Sequence, residues 1–269
     1  MEDKKEEENK KKKDWYKRRE EHWASLEPNL LSVLGGFEDS HLPDVKCSCE
    51  LLNGLILSKQ LNPICCLDCA AGIGRVTEYV LSNYFQEIDL FEKNKAFIEK
   101  CKNKFSGNNK IKNMYESSLE NFEFKKKYDL IWIQWCLENL EDDDLRPFLK
   151  KCHDNLNDNG IIIVKENLYN INEEEENEIE EKEKEDENKI NLEGKNEENK
   201  DNYECKYNKL DYSKQRSDVY YINLFLESNF KIKLHFLNPN WPESLMPLCV
   251  YVLSKKYFSL LLIYLIHKI

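Results

Sequence analysis

The sequence contains no hydrophobic run long enough to cross a membrane. Its most apolar segment, residues 257–266, has ten residues, whereas a transmembrane helix needs about 20. This segment has three interpretations: a helix packed on the domain, which we prefer, a contact with a membrane surface, or sequence that does not belong to the working protein. We therefore expect no membrane span.

The chain also lacks an excess of positive charge, because its formal net charge is -11. Most of that charge lies between residues 171 and 200, which contain 14 acidic residues and 5 lysines. The rest of the chain is nearly neutral and has no basic stripe that would bind a phosphate backbone. We therefore expect no nucleic acid partner.

A secretory signal peptide is missing as well, because the first 13 residues are almost all charged or amide side chains. The ten cysteines therefore do not predict a disulfide scaffold, and several lie in apolar runs where they pack as small hydrophobic side chains. Cys66 and Cys69 have zinc-ligand spacing, with Cys47 and Cys49 as their only nearby complement, but the turn that begins at Ala70 explains the first pair otherwise. We expect no metal site, and reduced thiols in the cytoplasm, the nucleus or both.

Composition divides the chain into one globular domain with polar and apolar additions. Residues 1–13 have no apolar side chain after Met1 and are predicted to be a disordered tail. Residues 14–255 are the predicted domain, interrupted by the acidic low-complexity insertion 170–205, which we interpret as a disordered loop. Residues 256–269 form the apolar C-terminal tail.

The most informative segment is a predicted strand, small-residue turn and helix within residues 63–81. A short apolar run ends at Leu67, a turn of small residues follows at 70–74, and residues 75–81 have helical spacing. Backbone amides of such a turn can approach a ligand closely beside the helix N-terminus. Glu92 ends the next predicted strand about 20 residues beyond the glycines, where nucleotide-binding units place the acid that accepts hydrogen bonds from the ribose hydroxyls.

Strands and helices alternate along the chain. Apolar alternation and β-branched runs predict strands at residues 87–92, 111–115, 128–135, 161–165, 231–236 and 248–253. Helical spacing predicts two short helices between residues 14 and 36, and further helices at 43–61, 94–105, 141–156 and 211–228. This alternation indicates an α/β domain with a parallel sheet and right-handed crossovers.

The details of the turn favour S-adenosylmethionine over a dinucleotide. A dinucleotide site needs three glycines for the approach of the pyrophosphate and for helix packing, whereas here the first is Ala70 and Arg75 directly follows Gly74. S-adenosylmethionine has no pyrophosphate, and Arg75 can pair with its methionyl carboxylate.

Three segments together resemble the family of α-N-terminal protein methyltransferases: residues 67–75 (LDCAAGIGR), 131–135 (IWIQW) and 160–167 (GIIIVKEN). The resemblance runs from about residue 15 to residue 255 without the acidic insertion. It implies an α/β class I methyltransferase (Rossmann-like) fold, with a seven-stranded, mostly parallel sheet and an added N-terminal helical segment. It also implies S-adenosyl-L-methionine as cofactor and, as partners, N-terminal tails of proteins that begin Xaa-Pro-Lys after removal of the initiator Met, whose α-amine is methylated.

The resemblance assigns site residues position by position. It implies cofactor contacts at Ala70, Gly72, Arg75, Glu92, Lys93, Asn94, Leu119, Glu120 and Gln134. It implies a peptide channel lined by Trp23, Leu34, Trp135, Asn167, Asp211, Ser213, Leu245 and Met246. Asp211 matches the family's catalytic aspartate, and Asn139 stands at a catalytic position where the family usually has His.

Three departures from the family pattern concern the site. Ala70 adds one methyl group where the family has its first Gly, Asn139 cannot take up a proton near neutral pH as a histidine can, and Asn208 stands roughly where another acid helps to hold the substrate's lysine. Either Asp211 suffices as the base, or catalysis is slower or narrower. The alternatives are a class I methyltransferase of another substrate, such as a small amine or RNA, and a binding protein that has lost turnover.

The implied residues fit the chemistry of amine methylation. An α-amine has a pKa of about 7.7–8.0, so roughly a tenth of it is neutral at neutral pH. Asp211 can orient the amine, accept its proton through water or offset the charge of the lysine. Asn167 can hold the first peptide carbonyl, and Trp23 and Trp135 can form a slot for proline. Without the resemblance, Asp211 would be interpreted as a helix N-cap and Trp135 as a core residue.

Overall fold

The computed structural model describes residues 2–169 and 205–256. Its N-terminal segment is helical: helices α1 (Glu2–Ser25), α2 (Leu30–Val33) and α3 (His41–Leu57) precede the first strand, with a 3-10 turn at Glu38–Ser40. The predicted insertion at 170–205 and the C-terminal tail lie outside the described residues, except for Cys205 and Lys256 at their edges. No helix in the described part of the chain has the length and apolar character needed to span a membrane.

The prediction of a disordered tail is wrong for residues 2–13, which form the first half of α1. Glu and Lys are good helix formers, and Lys11 pairs with Glu7 one turn earlier at 2.9 Å. The helix is also held to the domain, since Lys12 Nζ lies 2.9 Å from Asp144 and the Tyr16 hydroxyl donates a hydrogen bond to the same carboxylate. Composition alone showed no buried surface, but propensity and these partners order the segment.

Seven strands form one sheet in the order β3-β2-β1-β4-β5-β9-β8. They are β1 (Cys65–Cys69), β2 (Glu87–Glu92), β3 (Ile111–Glu116), β4 (Tyr128–Gln134), β5 (Leu156–Asn167), β8 (Phe230–Leu237) and β9 (Leu248–Lys255). Strands β6 (Cys205–Tyr207) and β7 (Lys214–Arg216) form a separate antiparallel pair. The remaining helices are α4 (Arg75–Tyr79), α5 (Lys95–Lys104), α6 (Asp142–Asp154) and α7 (Asp218–Glu227).

The sheet is mostly parallel, as predicted, because β1 to β5 all run the same way. Only β9 is antiparallel to its neighbours β5 and β8. Both faces are covered: Ile131 and Ile133 of β4 belong to one hydrophobic cluster, and Leu130 and Trp132 belong to another. Strand β1 lies between β2 and β4, so the order reverses there and a crevice opens at the carboxyl ends of the strands.

Two predicted boundaries are wrong. The helix predicted over 211–228 begins only at Asp218, because Ser217 caps it by accepting a hydrogen bond from Tyr220 N at 3.2 Å and the preceding residues form β7. Tyr221 of this helix is fully buried, while Val219 is 57% exposed. Helix α6 ends at Asp154, two residues before the predicted end at residue 156.

Candidate active site

A cavity of about 1410 Å³ opens at the carboxyl ends of the central strands. The turn after β1, the end of β2 and the loop after β4 form its floor, and the end of α1 with residues 31–37 forms one wall. On the opposite side lie residues 208–211 and 244–246. The cavity is larger than the ~300–1,000 Å³ of a typical small-molecule site, so a cofactor and the end of a peptide can occupy it together.

The turn after β1 has the backbone that the sequence pattern predicts. Ala70, Gly72 and Gly74 all have positive φ, of 48°, 58° and 76°. A Cβ on Gly74 would lie 2.5 Å from the ring of Phe105, so only glycine permits this packing against the end of α5. Ala70 adopts its left-handed conformation despite its methyl group, at a cost of order 1 kcal/mol.

Glu92 joins this turn to the end of β2. Its Oε2 accepts a hydrogen bond from Gly72 N at 2.9 Å, and its Oε1 accepts one from Asn94 N at 2.7 Å. Burial raises the pKa of this carboxyl, and the backbone donors oppose the rise. Asn94 caps α5 and also donates from Nδ2 to Trp23 O at 2.7 Å, so the N-terminal helix is attached at this end of the cavity.

A buried ion cluster that the sequence analysis missed supports the floor. Asp44 of α3 and Lys165 of β5 are both fully buried and paired with each other. Gln134 Nε2 donates to Asp44 Oδ1 at 2.9 Å, and Arg75 Nη1 lies 2.8 Å from Asp44 Oδ2. Although burial alone would raise it, the charges of Lys165 and Arg75 lower the pKa of Asp44 to about 2. The one visible signal was a lysine at the end of the otherwise apolar strand predicted over 161–165.

Arg75 therefore has a partner within the protein as well as a place on the cavity wall. We predicted that it would pair with the cofactor's carboxylate, whereas in the structure it pairs with Asp44 and lies with its guanidinium 5.0 Å from the centroid of the Trp135 ring. Asp44 holds Arg75 in place, and Arg75 in turn supports Trp135.

The Asp44 cluster makes stability depend on acidity in a predictable direction. Because the pKa of Asp44 in the folded protein, about 2, is below the ~3.9 of an unfolded aspartate, its contribution is fully present above about pH 5 and is lost as the pH falls towards 2. We expect the difference in unfolding free energy between the wild type and Asp44→Asn to shrink by about 2–3 kcal/mol between pH 5 and pH 2. Urea unfolding curves of both proteins at several pH values measure this. A constant difference would contradict it.

Aromatic side chains line the middle of the cavity. Trp135 has a φ of 51° and holds its backbone by donating to Lys165 O at 3.0 Å, and its ring centroid lies 6.2 Å from that of Trp241. Trp23 packs edge-on to Phe97 at 6.5 Å. The sequence analysis predicted Trp23 and Trp135 as the walls of a slot but missed Trp241, whose position depends on the link between β8 and β9.

Glu138, Glu166 and Asp211 form a group of neighbouring carboxyls. Asp211 Oδ1 accepts hydrogen bonds from Ser213 N at 3.0 Å and Ser213 Oγ at 2.8 Å. Glu166 Oε1 accepts hydrogen bonds from the backbone amides of Cys136 and Leu137 at 2.9 and 2.8 Å, and burial raises the pKa of Glu166 to about 7. The neighbouring Glu138 lines the cavity.

Asn139 lies beside these carboxylates. Its Nδ2 donates to Trp135 O at 3.3 Å, while its buried Oδ1 has no hydrogen-bond partner within the described residues.

The cavity brings together nearly all the residues that the sequence analysis selected. All nine predicted cofactor contacts line it, from Ala70 to Gln134. So do Asn139 and the predicted peptide-channel residues other than Ser213: Trp23, Leu34, Trp135, Asn167, Asp211, Leu245 and Met246. Ser213 lies behind Asp211 and positions it. The roles of these residues remain predictions; their shared location is an observation.

The polar atoms of the cavity fit S-adenosylmethionine. Glu92 lies at the position of a ribose-binding acid, and Glu120 Oε2 is buried without a hydrogen-bond partner in the described part of the chain. Ala70 and Gly72 of the glycine turn both line the cavity.

The sequence offered Cys66 and Cys69 as possible zinc ligands, but the structure brings other possible ligands together. Within residues 2–169 and 205–256, a single group of three possible ligands has its ligand atoms within 4.8 Å of one another: Asp218, His235 and Cys249. Asp218 Oδ1 already contacts His235 Nε2 at 2.9 Å and accepts a hydrogen bond from the Tyr251 hydroxyl at 2.6 Å. Cys66 and Cys69 are not in this group, and all ten cysteines are free thiols.

Proteins of similar sequence are known from other organisms. The α-N-terminal protein methyltransferase 1 of Dictyostelium discoideum is 33% identical over 248 residues, which cover 90% of this chain and 80% of the relative. The human N-terminal Xaa-Pro-Lys N-methyltransferase 1 is 31% identical over 158 residues, 57% of this chain and 71% of the relative.

Among solved structures, a SAM-dependent methyltransferase of Leishmania major superposes with a TM-score of 0.73 at 29% identity, covering 89% of this chain and 83% of that one. The family model described as "AdoMet dependent proline di-methyltransferase" matches residues 11–192. With the class I fold, the glycine turn and Glu92 in one cavity, the chain belongs to this family of methyltransferases, and S-adenosylmethionine is its cofactor.

Proposed function

We propose that this enzyme methylates the α-amine of proteins that begin Xaa-Pro-Lys after removal of the initiator Met. The observation that carries the proposal is that one cavity is lined together by the glycine turn, by Trp23, Trp135 and Trp241, and by Asp211. The relative from Dictyostelium discoideum, whose name states α-N-terminal methylation, aligns over 90% of the chain.

Each part of an Xaa-Pro-Lys terminus has a matching surface. A proline ring has no N–H and packs on aromatic faces, which Trp135 and Trp241 offer at a centroid distance of 6.2 Å. The α-ammonium and the lysine are cationic, and the Asp211 carboxylate in the cavity lining can face them. Asn167 also lines the cavity, where its amide can hold the first peptide carbonyl.

The protein's contribution to the reaction is positioning and proton handling. When bound, S-adenosylmethionine supplies an electrophilic methyl group on a sulfonium. The amine must approach it as a neutral nucleophile held in line, and holding reactants in this way can contribute several kcal/mol. Ser213 fixes one oxygen of Asp211, which leaves Oδ2 to orient the ammonium. The aromatic walls exclude water from the transfer.

We propose that the enzyme acts in the cytoplasm, the nucleus or both, and that its partners are protein tails and not nucleic acid. The ten free thiols suit a reducing compartment. The near-neutral charge outside the acidic insertion lacks the basic face of a nucleic acid-binding protein.

A synthetic Xaa-Pro-Lys peptide is expected to gain methyl groups when it is incubated with the enzyme and S-adenosylmethionine. Mass spectrometry reports both activity and the number of methyl groups. The matched controls are the same peptide with an acetylated α-amine and one with Ala in place of Pro, and both should gain far less. Equal methylation of the acetylated peptide would contradict transfer to the α-amine. Methylation of a small amine or an RNA without any peptide product would establish the alternative substrate class.

A further inference from the structure

Glu138 is a cavity carboxylate to which no role has yet been given. It lies in a 3-10 turn, Leu137–Asn139, directly after β4 and Trp135. The cavity wall at this point is formed by Glu138, Asn139, Asn167 and Asp211. Its side chain is therefore placed where the cationic end of a substrate would lie, next to the residue that replaces the family's histidine.

Within the described residues, Glu138 has no structural partner. The nearest candidate is Arg216, but all five N–H groups of Arg216 are engaged elsewhere: with Asp142 Oδ1 at 3.1 and 2.8 Å, with Leu137 O and Lys214 O at 3.1 Å, and with Leu140 O at 2.6 Å. No hydrogen bond or ion pair of the described part of the chain involves the Glu138 carboxylate. A half-buried side chain in the cavity lining that has no protein partner within the described residues is available to a ligand.

The groups around Glu138 favour proton uptake. Burial raises its pKa well above the usual range, and the negative charges of Glu166 and Asp211 raise it further, while Arg216 lowers it. The other titratable groups here, Cys136 and Tyr221, have raised pKa values and stay neutral. In the empty enzyme this carboxyl therefore holds a proton more readily than an ordinary glutamate, and a bound cation would favour its ionised form.

We propose that Glu138 accepts the proton that the substrate amine must lose before each methyl transfer. This inference rests on the proposed function. The Glu138 carboxylate takes one proton of the α-ammonium, which leaves a lone pair on the nitrogen. That lone pair forms the N–C bond while the C–S bond breaks and its electrons stay on sulfur. The proton then passes from Glu138 to water before the next round.

Proton acceptance by Glu138 would compensate for Asn139, which stands where the family usually has a histidine. The amide of Asn139 cannot accept a proton near neutral pH, and its Nδ2 is bound to Trp135 O. Asp211 has one oxygen fixed by two hydrogen bonds from Ser213 and is suited to orientation. Glu138 is the adjacent carboxylate that is free to take up the proton, so orientation and proton acceptance are divided between two acids.

The test compares the wild type with Glu138→Gln, which keeps the shape and removes the proton acceptor. With an Xaa-Pro-Lys peptide at pH 7 we expect kcat to fall by about tenfold, because only about a tenth of the α-amine is neutral without a base, with KM changed by less than about fivefold. The rate of the variant should fall about tenfold for each pH unit below 7.5, because it follows the neutral fraction of the amine, whereas the wild type should decline less steeply. Glu243→Gln, an exposed acid outside the cavity lining, is the matched charge control.

Rescue separates this role from a structural one. Adding Asn139→His to Glu138→Gln should restore most of the lost kcat, because an imidazole again provides a base. Glu138→Asp, which keeps the carboxylate, is the second variant should the glutamine protein fold poorly, and its kcat should lie between the two. A Glu138→Gln enzyme with kcat within twofold of wild type and the same pH profile would overturn the proposal.

Failure of the proposed function has a different signature. If the wild type methylates no Xaa-Pro-Lys peptide, the titration of Glu138 in the free enzyme decides the inference. It is followed by carbon-13 NMR of the glutamate carboxyls and assigned by comparison with Glu138→Gln or Glu138→Asp. A midpoint near neutral pH supports a proton-accepting carboxyl, and a midpoint in the ordinary acidic range overturns it.

Discussion

Replacing Asp44 with Ala is expected to lower the free energy of unfolding by about 3–5 kcal/mol, because it leaves buried cations without their counter-charge. Lys165 is fully buried and Arg75 is 4% exposed, so water cannot take over the role of the carboxylate. Lys165 Nζ would keep only Ser48 Oγ at 2.8 Å and the Asp44 backbone carbonyl at 3.3 Å as acceptors. Urea unfolding at pH 7 measures the loss.

Two comparisons make this result specific. Asp154→Ala removes an exposed pair with Lys150 at 2.9 Å, which should cost less than about 1 kcal/mol. In the double variant Asp44→Ala with Lys165→Met, one buried cation is removed together with its partner, and part of the lost stability should return. A loss at Asp44 no larger than that at Asp154 would show that the cluster is not the element that holds α3 to the sheet.

The same cluster should also matter for activity. Asp44 contacts Arg75 and Gln134, which both line the cavity, so its loss displaces two cavity residues without removing either. The damage should therefore extend to cofactor binding even at temperatures where the variant is still folded.

Local pattern was enough to predict the central part of the fold. The bounds of β2 and most of β4 follow from apolar alternation and β-branched runs, and the turn between β1 and α4 follows from its small residues. The position of Glu92 relative to the glycines depends on a βαβ unit within about 30 residues, so sequence spacing fixes it.

What the sequence analysis missed depends on distant contacts. Asp44 and Lys165 pair although they are 121 positions apart. The sequence around either residue does not identify its partner. Lys165 was predicted as the end of a strand, where a lysine ordinarily reaches solvent. Trp241 was assigned to a link, and its place beside Trp135 depends on how β8 and β9 turn. Tertiary partners of this kind have no local signature.

The predicted helix over 211–228 shows the same limit at the active site. Its pattern was interpreted as starting at Asp211, but β7 pairs with β6 through the turn at residues 208–213 and takes residues 214–216 out of the helix. Asp211 is consequently in a turn before β7, where its Oδ1 accepts both hydrogen bonds from Ser213. A helix N-cap there would have turned the carboxylate towards helix amides and away from the cavity.

Asp211→Asn is expected to lower kcat/KM for an Xaa-Pro-Lys peptide by about 10²–10⁴-fold, because it removes the charge that orients the ammonium. The amide oxygen can still accept from Ser213 N and Oγ, so the local structure is kept. Affinity for S-adenosylhomocysteine, measured by calorimetry, should stay within about twofold. Asp143→Asn, at an exposed acid in the first turn of α6, is the matched control and should leave both quantities unchanged.

Ser213→Ala tests the same role by removing a hydrogen bond to Asp211 Oδ1. It removes one of two hydrogen bonds to Asp211, at 2.8 Å, and a hydrogen bond to a charged group contributes about 1.5–3 kcal/mol, so a loss of about tenfold or more in kcat/KM is expected. An Asp211→Asn enzyme that retains more than a tenth of wild-type kcat/KM would contradict the orienting role. Asp211→Asn also removes a negative charge that raises the pKa of Glu138, so its pH profile should shift to lower pH while keeping the wild-type slope, and this separates it from Glu138→Gln.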